Sequence, residues 1–261
     1  MSGPEDPVLR VVDAQGRGAA ADPGEPVALR WERDYEEAAR IAAAVAFESA
    51  LPPRASGWRW RAGQALKRGI DLVIAGAALL VLLPVFAAIA LVVALDSPGP
   101  VFYPWRVLGY RARRFTGYKF RTMVEGADHL KSSLMHLNEM TGPVFKMRND
   151  PRVTRAGRIL REYSLDELPQ LWSVVKGDMS LVGPRPPSPR EFVQFEPQQH
   201  LKLAVRPGIT CLWLVSGRSE IRDFDEWVRL DLEYIRRWSL WLDFKILCWT
   251  IPTVLSARGA H

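Results

Sequence analysis

The feature that most limits what this chain can fold into is LVIAGAALLVLLPVFAAIALVVAL, Leu72 to Leu95, twenty-four consecutive residues without a charged or strongly polar side chain. As one straight helix rising about 1.5 Å per residue it would reach about 36 Å, enough for a bilayer core of about 30 Å. Helices of soluble cores seldom stay apolar all round for so long, so the stretch predicts membrane contact. It does not predict a straight crossing. Pro84 stands near its middle, where a missing N–H and a ring clash break or kink a helix. Basic residues also crowd both ends: Arg54, Arg59, Arg61, Lys67 and Arg68 before it, and Arg106, Arg111, Arg113, Arg114, Lys119 and Arg121 after it. A positive-inside bias that favours neither end suits a re-entrant helix–break–helix with both ends on the cytoplasmic side.

The remainder divides around this segment. Residues 1–65 are rich in Ala, Gly, Pro and charge and carry one helix-like run, Tyr35 to Leu51; they read as a loosely held extension or as a short helix packed on the main body. The re-entrant membrane helix takes residues 66–96. From residue 97 to 235 the texture is globular, opening with the turn signal Ser97 to Pro100 and a short strand candidate after it. Residues 236–261 hold a Trp-rich tail interrupted by Asp243 and Lys245. That tail suits an amphipathic helix in the headgroup layer, with Trp238, Trp241 and Trp249 at the interface.

Several chemistries drop out early. Two cysteines, Cys211 and Cys248, without a CxxC pair or a nearby histidine make neither a zinc site nor a disulfide framework, and they suit a reducing compartment. No cleaved export signal is visible at the start of the sequence. P-loop, Rossmann-glycine, zincin and nucleophile-elbow strings are all missing, and none of the four histidines stands beside a candidate nucleophile. The formal net charge of +6 points to a negatively charged client. Carboxylate chemistry is what remains.

The carboxylates of interest lie in NDPRVTRAGRILREYSLDELPQLWSVVKGDMSLVGPRP, Asn149 to Pro186. Thr154 is placed to cap one short helix, and Ser164 a second that runs toward Lys176, with Asp166 and Glu167 on its first turn. Ser164 to Glu167 has the form of a capping box, although Pro169 fits better with Asp166 as the cap, so local pattern leaves the cap open. A functional reading stands beside the structural one. Arg148, Arg152, Arg155, Arg158, Arg161, Lys176 and Arg185 surround the two acids in sequence, and a helix N-terminus offers N–H groups to anions. A phosphate site enclosing a carboxylate can share Mg²⁺ with substrate phosphates, or its carboxylate can attack phosphorus.

From about Leu66 to Leu255 the chain resembles the bacterial sugar transferases that act as monotopic polyprenyl-phosphate phosphoglycosyl transferases. The resemblance is carried by KRGIDL (Lys67 to Leu72), the apolar segment with its central Pro, GPVFY (Gly99 to Tyr103), YKFRTM (Tyr118 to Met123), the long Asn149 to Leu171 run, KGDMSLVGPRP (Lys176 to Pro186), RPGIT (Arg206 to Thr210) and SGR (Ser216 to Arg218). It implies an α+β, mostly helical monotopic membrane protein. Such a protein has a re-entrant anchor, a small β element, a cytosolic catalytic region over 97–235 and interfacial amphipathic helices. It implies an enzyme of the cytoplasmic face of the bacterial inner membrane that moves a sugar 1-phosphate from a UDP-sugar to undecaprenyl phosphate with Mg²⁺, releasing UMP and starting an exopolysaccharide, capsule or O-antigen. It implies Asp166 as nucleophile, Glu167 as its partner, both as metal ligands, and Arg161 and Arg185 as phosphate contacts, with Lys119 and Arg218 as further ones. Nucleic acid is not a partner on this reading.

The chain departs from the family at Leu83-Pro84, where Ser-Pro is usual, and in the spacing of GPVFYPWRVLGY, Gly99 to Tyr110, where a Gln before the Arg and no extra residue before the Gly are common. Cys211 and Leu214 also replace a common Gly and Gln. Two rival readings predict differently. A membrane-tethered polyanion or nucleic-acid binder would tolerate Asp166→Asn and bind oligonucleotides with a steep salt dependence; an inactive family member would serve as a scaffold.

Overall fold

The structure, a computed structural model, describes residues 27–217 and 220–256. The apolar stretch is divided between two helices. α2 (Trp58–Val81) begins well before it and α3 (Leu83–Asp96) ends just after it, and the two are bent by 61° about Leu82. No single helix among the described residues is long and apolar enough to cross a membrane; the bent pair meets that test together. The break falls two residues before Pro84, because the proline then sits in the first turn of α3, where its nitrogen owes no intrahelical bond. Leu82 serves both helices, its N–H donating to Ala78 O at 2.9 Å and its carbonyl accepting from Phe86 N at 2.8 Å.

The polar half of α2 is riveted to the globular body. Arg68 donates to the carbonyls of Val174 (2.6 Å) and Val175 (2.9 Å), and the buried Asp71 accepts from Leu181 N at 3.2 Å. Lys67 reaches Asp243 Oδ2 at 2.6 Å and Val182 O at 3.1 Å. Asp243 also accepts from Tyr234 Oη (2.7 Å) and Trp238 Nε1 (3.1 Å), so one buried carboxylate ties four segments together. Lys67 and Arg68, read from sequence as charges flanking a membrane helix, are therefore internal connectors.

After α3 come β1 (Phe102–Leu108) and β2 (Arg114–Phe120), an antiparallel pair in which Phe102 faces Phe120, Tyr103 faces Lys119 and Trp105 faces Gly117. The two-residue period gives this hairpin two different faces. One carries Phe102 and Phe120, stacked at 5.2 Å between ring centroids, with the buried Phe120 packed with Phe86, Ile89 and Val93 of α3. The other carries Trp105, Gly117 and Lys119. The buried Arg121, next after the hairpin, donates to the carbonyls of Val93 (3.3 Å), Ser97 (2.7 Å) and Pro98 (2.6 Å), closing the open end of α3. Gly99 permits this: it has φ +114, and a Cβ there would stand 2.2 Å from Arg121 Nη1.

The rest is short helices and a two-stranded parallel pair, within the α+β class expected. α4 (Ala127–Leu134), α5 (Arg155–Glu162) and α6 (Leu171–Lys176) precede β3 (Ser180–Val182); α7 (Pro189–Val193) precedes β4 (Gly208–Thr210), which pairs with β3. α8 (Leu212–Val215), α9 (Phe224–Arg237) and α10 (Leu240–Leu255) follow and are the last elements of the described residues. The N-terminal helix α1 (Val27–Ala44) and the 3-10 turn Phe47–Ala50 are packed on the body: Tyr35, Ala38, Phe47 and Ala50 are buried in the same core as Leu181, Trp227 and Ile235. The tail corrects one expectation. Trp241 and Trp249 are exposed as an interfacial helix requires, at 63% each, but Trp238 is buried, set edge-on to Trp60 at 4.7 Å and bonded to Asp243.

Candidate active site

Asp166 and Glu167 sit in a 3-10 turn, Leu165–Gln170, which runs directly into α6. Pro169 is inside that turn, and the shorter 3-10 bonding pattern accommodates it where an α-helix of the same start would lose a bond. The capping box that the sequence offered at Ser164 does not form: Ser164 is left-handed at φ +53, and its side chain makes no cap bond. A complete box forms elsewhere, at Ser188 and Glu191 on α7. Thr154 does cap α5, its Oγ1 accepting from Gly157 N at 3.0 Å.

Three elements bring charge to the turn. β2 supplies Lys119, whose Nζ lies 2.6 Å from Glu167 Oε1. α5 supplies Arg161, close enough to act on Asp166 and on Asp150. The turn itself supplies the carboxylates. Gly157 lets α5 lie against the backbone just after β2, where a Cβ would stand 2.2 Å from Thr122 O, and Asp96 at the end of α3 ties α5 to that helix, its Oδ2 accepting from Ala156 N at 3.1 Å. The end of the bent apolar helix pair is thus bonded to the start of the helix that carries Arg161.

Asp166 is buried, 8% exposed, and its carboxyl is pushed up to about 6. Loss of hydration is the main cause and the neighbouring Glu167 charge the second; Lys119, Arg161 and a bond from its own backbone pull the other way. A carboxylate so placed is ionised near neutrality yet poorly compensated. Two carboxylates adjacent in the chain are hard oxygen donors of the kind Mg²⁺ takes, since it binds one or two carboxylates and leaves its other positions to water and substrate phosphates. No group of three or more acidic, His or Cys side chains able to hold a metal occurs among the described residues, so an all-protein cage is not what this site offers.

The basic residues of the sequence reading are spread more widely than their spacing implied. Arg152 is buried against Asp150, donating from Nε at 2.9 Å and from Nη2 at 2.6 Å, and Lys176 pairs with Asp178 at 2.7 Å. Arg185 is exposed, with its guanidinium 5.7 Å from the Trp227 ring centre, and its charge acts on Asp231 and Cys211. Arg218 lies outside the described residues. Of the six site residues named from sequence, Asp166, Glu167, Lys119 and Arg161 are brought together. Trp105 was not among them, yet its ring centre lies 4.2 Å from Lys119 Nζ. The signal was present in the hairpin pattern, an aromatic facing a glycine one step from the lysine on the same face.

Residues 62–257 match the family model described as bacterial sugar transferase, about three quarters of the chain. The chain belongs to the bacterial sugar transferase family. Among curated bacterial sugar transferases it is 45% identical over 195 residues to galactosyl transferase CpsE of Streptococcus agalactiae, covering 74% of this chain and 43% of that one. It is 39% identical over 203 residues to the exopolysaccharide production protein ExoY of Rhizobium meliloti, covering 76% and 89%. It is 38% identical over 205 residues to the undecaprenyl-phosphate galactose phosphotransferase of Salmonella typhimurium, covering 77% and 43%. The chain therefore spans less than half the length of the streptococcal and Salmonella transferases and most of the rhizobial one. Residues 27–61, including α1, lie outside the family match.

Proposed function

We propose that this chain transfers a sugar 1-phosphate from a UDP-sugar to undecaprenyl phosphate at the cytoplasmic face of the bacterial inner membrane, as the first membrane step of glycan synthesis. The observation that carries the reading is the buried Asp166 beside Glu167, with Lys119 and Arg161 acting on the pair. The name of the Salmonella relative supports the acceptor and that of the rhizobial one supports an exopolysaccharide product.

In the first half-reaction Asp166 Oδ forms a bond to the β-phosphorus of the UDP-sugar. The bond from that phosphorus to the bridging oxygen breaks, and UMP leaves with the electron pair, giving an acyl phosphate that carries the sugar. In the second, a phosphate oxygen of undecaprenyl phosphate attacks the same phosphorus and the Asp166 Oδ–P bond breaks. Burial prepares Asp166 for this, since a carboxylate with few waters has little hydration to shed before attack. Lys119 holds Glu167 in place, and Arg161 presents its charge where the transferred phosphoryl group gathers negative charge. Mg²⁺, held by the carboxylates of Asp166 and Glu167 and by substrate phosphates, would neutralise the charge of the leaving phosphate.

The anchor supports the same reading. The C-terminal half of α2, α3 and α10 expose large apolar side chains: Val73 is 72%, Leu95 79% and Leu255 70% exposed. A water-facing surface of this kind is unusual for a monomer, whereas a re-entrant hairpin and an interfacial helix bury it in lipid. The dyad is then held near the headgroups, where the lipid phosphate lies and a soluble nucleotide sugar arrives. Purified protein in nanodiscs with undecaprenyl phosphate, Mg²⁺ and a panel of UDP-sugars tests the proposal by UMP release. Activity that survives both EDTA and Asp166→Asn would sink it.

A further inference from the structure

We propose that Trp105 is a positioning residue for the dyad, its indole face holding the Lys119 ammonium against Glu167. The inference rests on the reading of Asp166 and Glu167 as the reacting pair. Trp105 faces Gly117 across the β1–β2 ladder, and Lys119 is two residues beyond Gly117 on the same face. Cross-strand diagonal neighbours of this kind are within reach of an aromatic ring. Gly117 leaves the indole close against the strand: a Cβ there would stand 3.6 Å from the Trp105 and Phe115 rings and 3.5 Å from Ser173 Oγ, already in van der Waals contact with all three.

The ammonium is consequently gripped from two sides. Glu167 Oε1 lies 2.6 Å from Lys119 Nζ, and the Trp105 ring centre lies 4.2 Å from it, the shortest cation–ring distance among the described residues. Between them the Lys119 side chain retains 15% of its exposure, and cation–π attraction strengthens as water is removed. A lysine otherwise moves through many rotamers on its four-carbon stem. The ring adds a second contact that the carboxylate alone does not provide, and it fixes where the positive charge stands relative to Asp166. Trp105 acts through Lys119 and Glu167 and touches neither reacting atom.

The experiment uses the full chain in nanodiscs with W105L, W105F, K119M and the W105L/K119M double variant. One readout needs no turnover: the acetylation rate of Lys119 under limiting reagent, followed by mass spectrometry against Lys176 of the same molecule. W105L should raise the relative rate about threefold to tenfold, and W105F should leave it within about twofold. The second readout is UMP release. W105L should lower kcat about fivefold with KM for the UDP-sugar nearly unchanged, W105F should restore at least half of that loss, and W105L/K119M should be no slower than K119M. Unchanged Lys119 labelling in W105L, or losses that multiply in the double variant, would overturn the proposal. W105M replaces W105L if the latter does not melt cooperatively. If the wild type releases no UMP with any UDP-sugar, the proposed function fails while the labelling still decides the contact.

Discussion

Asp166 carries opposing demands on stability and chemistry. Its carboxyl is pushed up to about 6 from an ordinary value of 3.8, so between those values the folded state binds the proton that the unfolded state releases. Stability falls as pH rises through that window, and above it the ionised Asp166 is a standing cost. In EDTA, Asp166→Asn is therefore expected to raise the melting temperature at pH 7.5 by a few degrees, with the difference shrinking as pH falls from 6 toward 4. The same variant should release no UMP. A melting temperature that drops at pH 7.5 would show that the ionised carboxylate is better compensated than its burial implies. Lys119→Met should lower UMP release by about tenfold or more, because it removes the cation nearest Glu167 and leaves that carboxylate partly buried without it.

Elements meet here through a few close approaches, and these make sharper predictions than the apolar core does. Gly157 lets α5 lie on the backbone at Thr122 with no room for a methyl group, since a Cβ would stand 2.2 Å from Thr122 O. Gly157→Ala is expected to cost about 1–3 kcal/mol, read by thermal or denaturant melting, and to shift Arg161 enough to lower activity as well. Arg121→Met uncovers the carbonyls of Val93, Ser97 and Pro98 in and just after the last turn of α3 and should cost about 1–3 kcal/mol by the same measurement. The capping boxes teach a related lesson. Ser164 to Glu167 and Ser188 to Glu191 share the pattern, and only the second forms, because Pro189 starts a helix at its first position whereas Pro169 and a left-handed Ser164 turn the first into a 3-10 turn.

At the scale of the whole molecule, α1 and the turn after it contribute to the main core although they lie outside the family match. Tyr35 and Phe47 are both buried there, each worth about 1.5–3 kcal/mol of transfer. Deleting residues 1–56 should lower the melting temperature by about 10 °C. Cysteine labelling near residues 60 and 110 should report the same side of the membrane; opposite sides would mean a span in place of a re-entrant hairpin. By itself the sequence determined whatever depends on local composition and order: an apolar segment broken beside Pro84, the Thr154 cap, and an acidic pair in a basic surround, because helix breaking, capping and burial of apolar runs are short-range effects. Only the tertiary structure decided which cations serve the dyad. Arg152, Lys176 and Arg185 also lie within twenty residues of Asp166 in sequence, yet they are drawn to Asp150, Asp178 and Trp227 instead. Lys119, forty-eight residues away, reaches Glu167 because a hairpin register and a glycine on α5 bring β2, α5 and the 3-10 turn together. An ion pair is selected by distance in space and by loss of water, and neither is written in spacing along the chain.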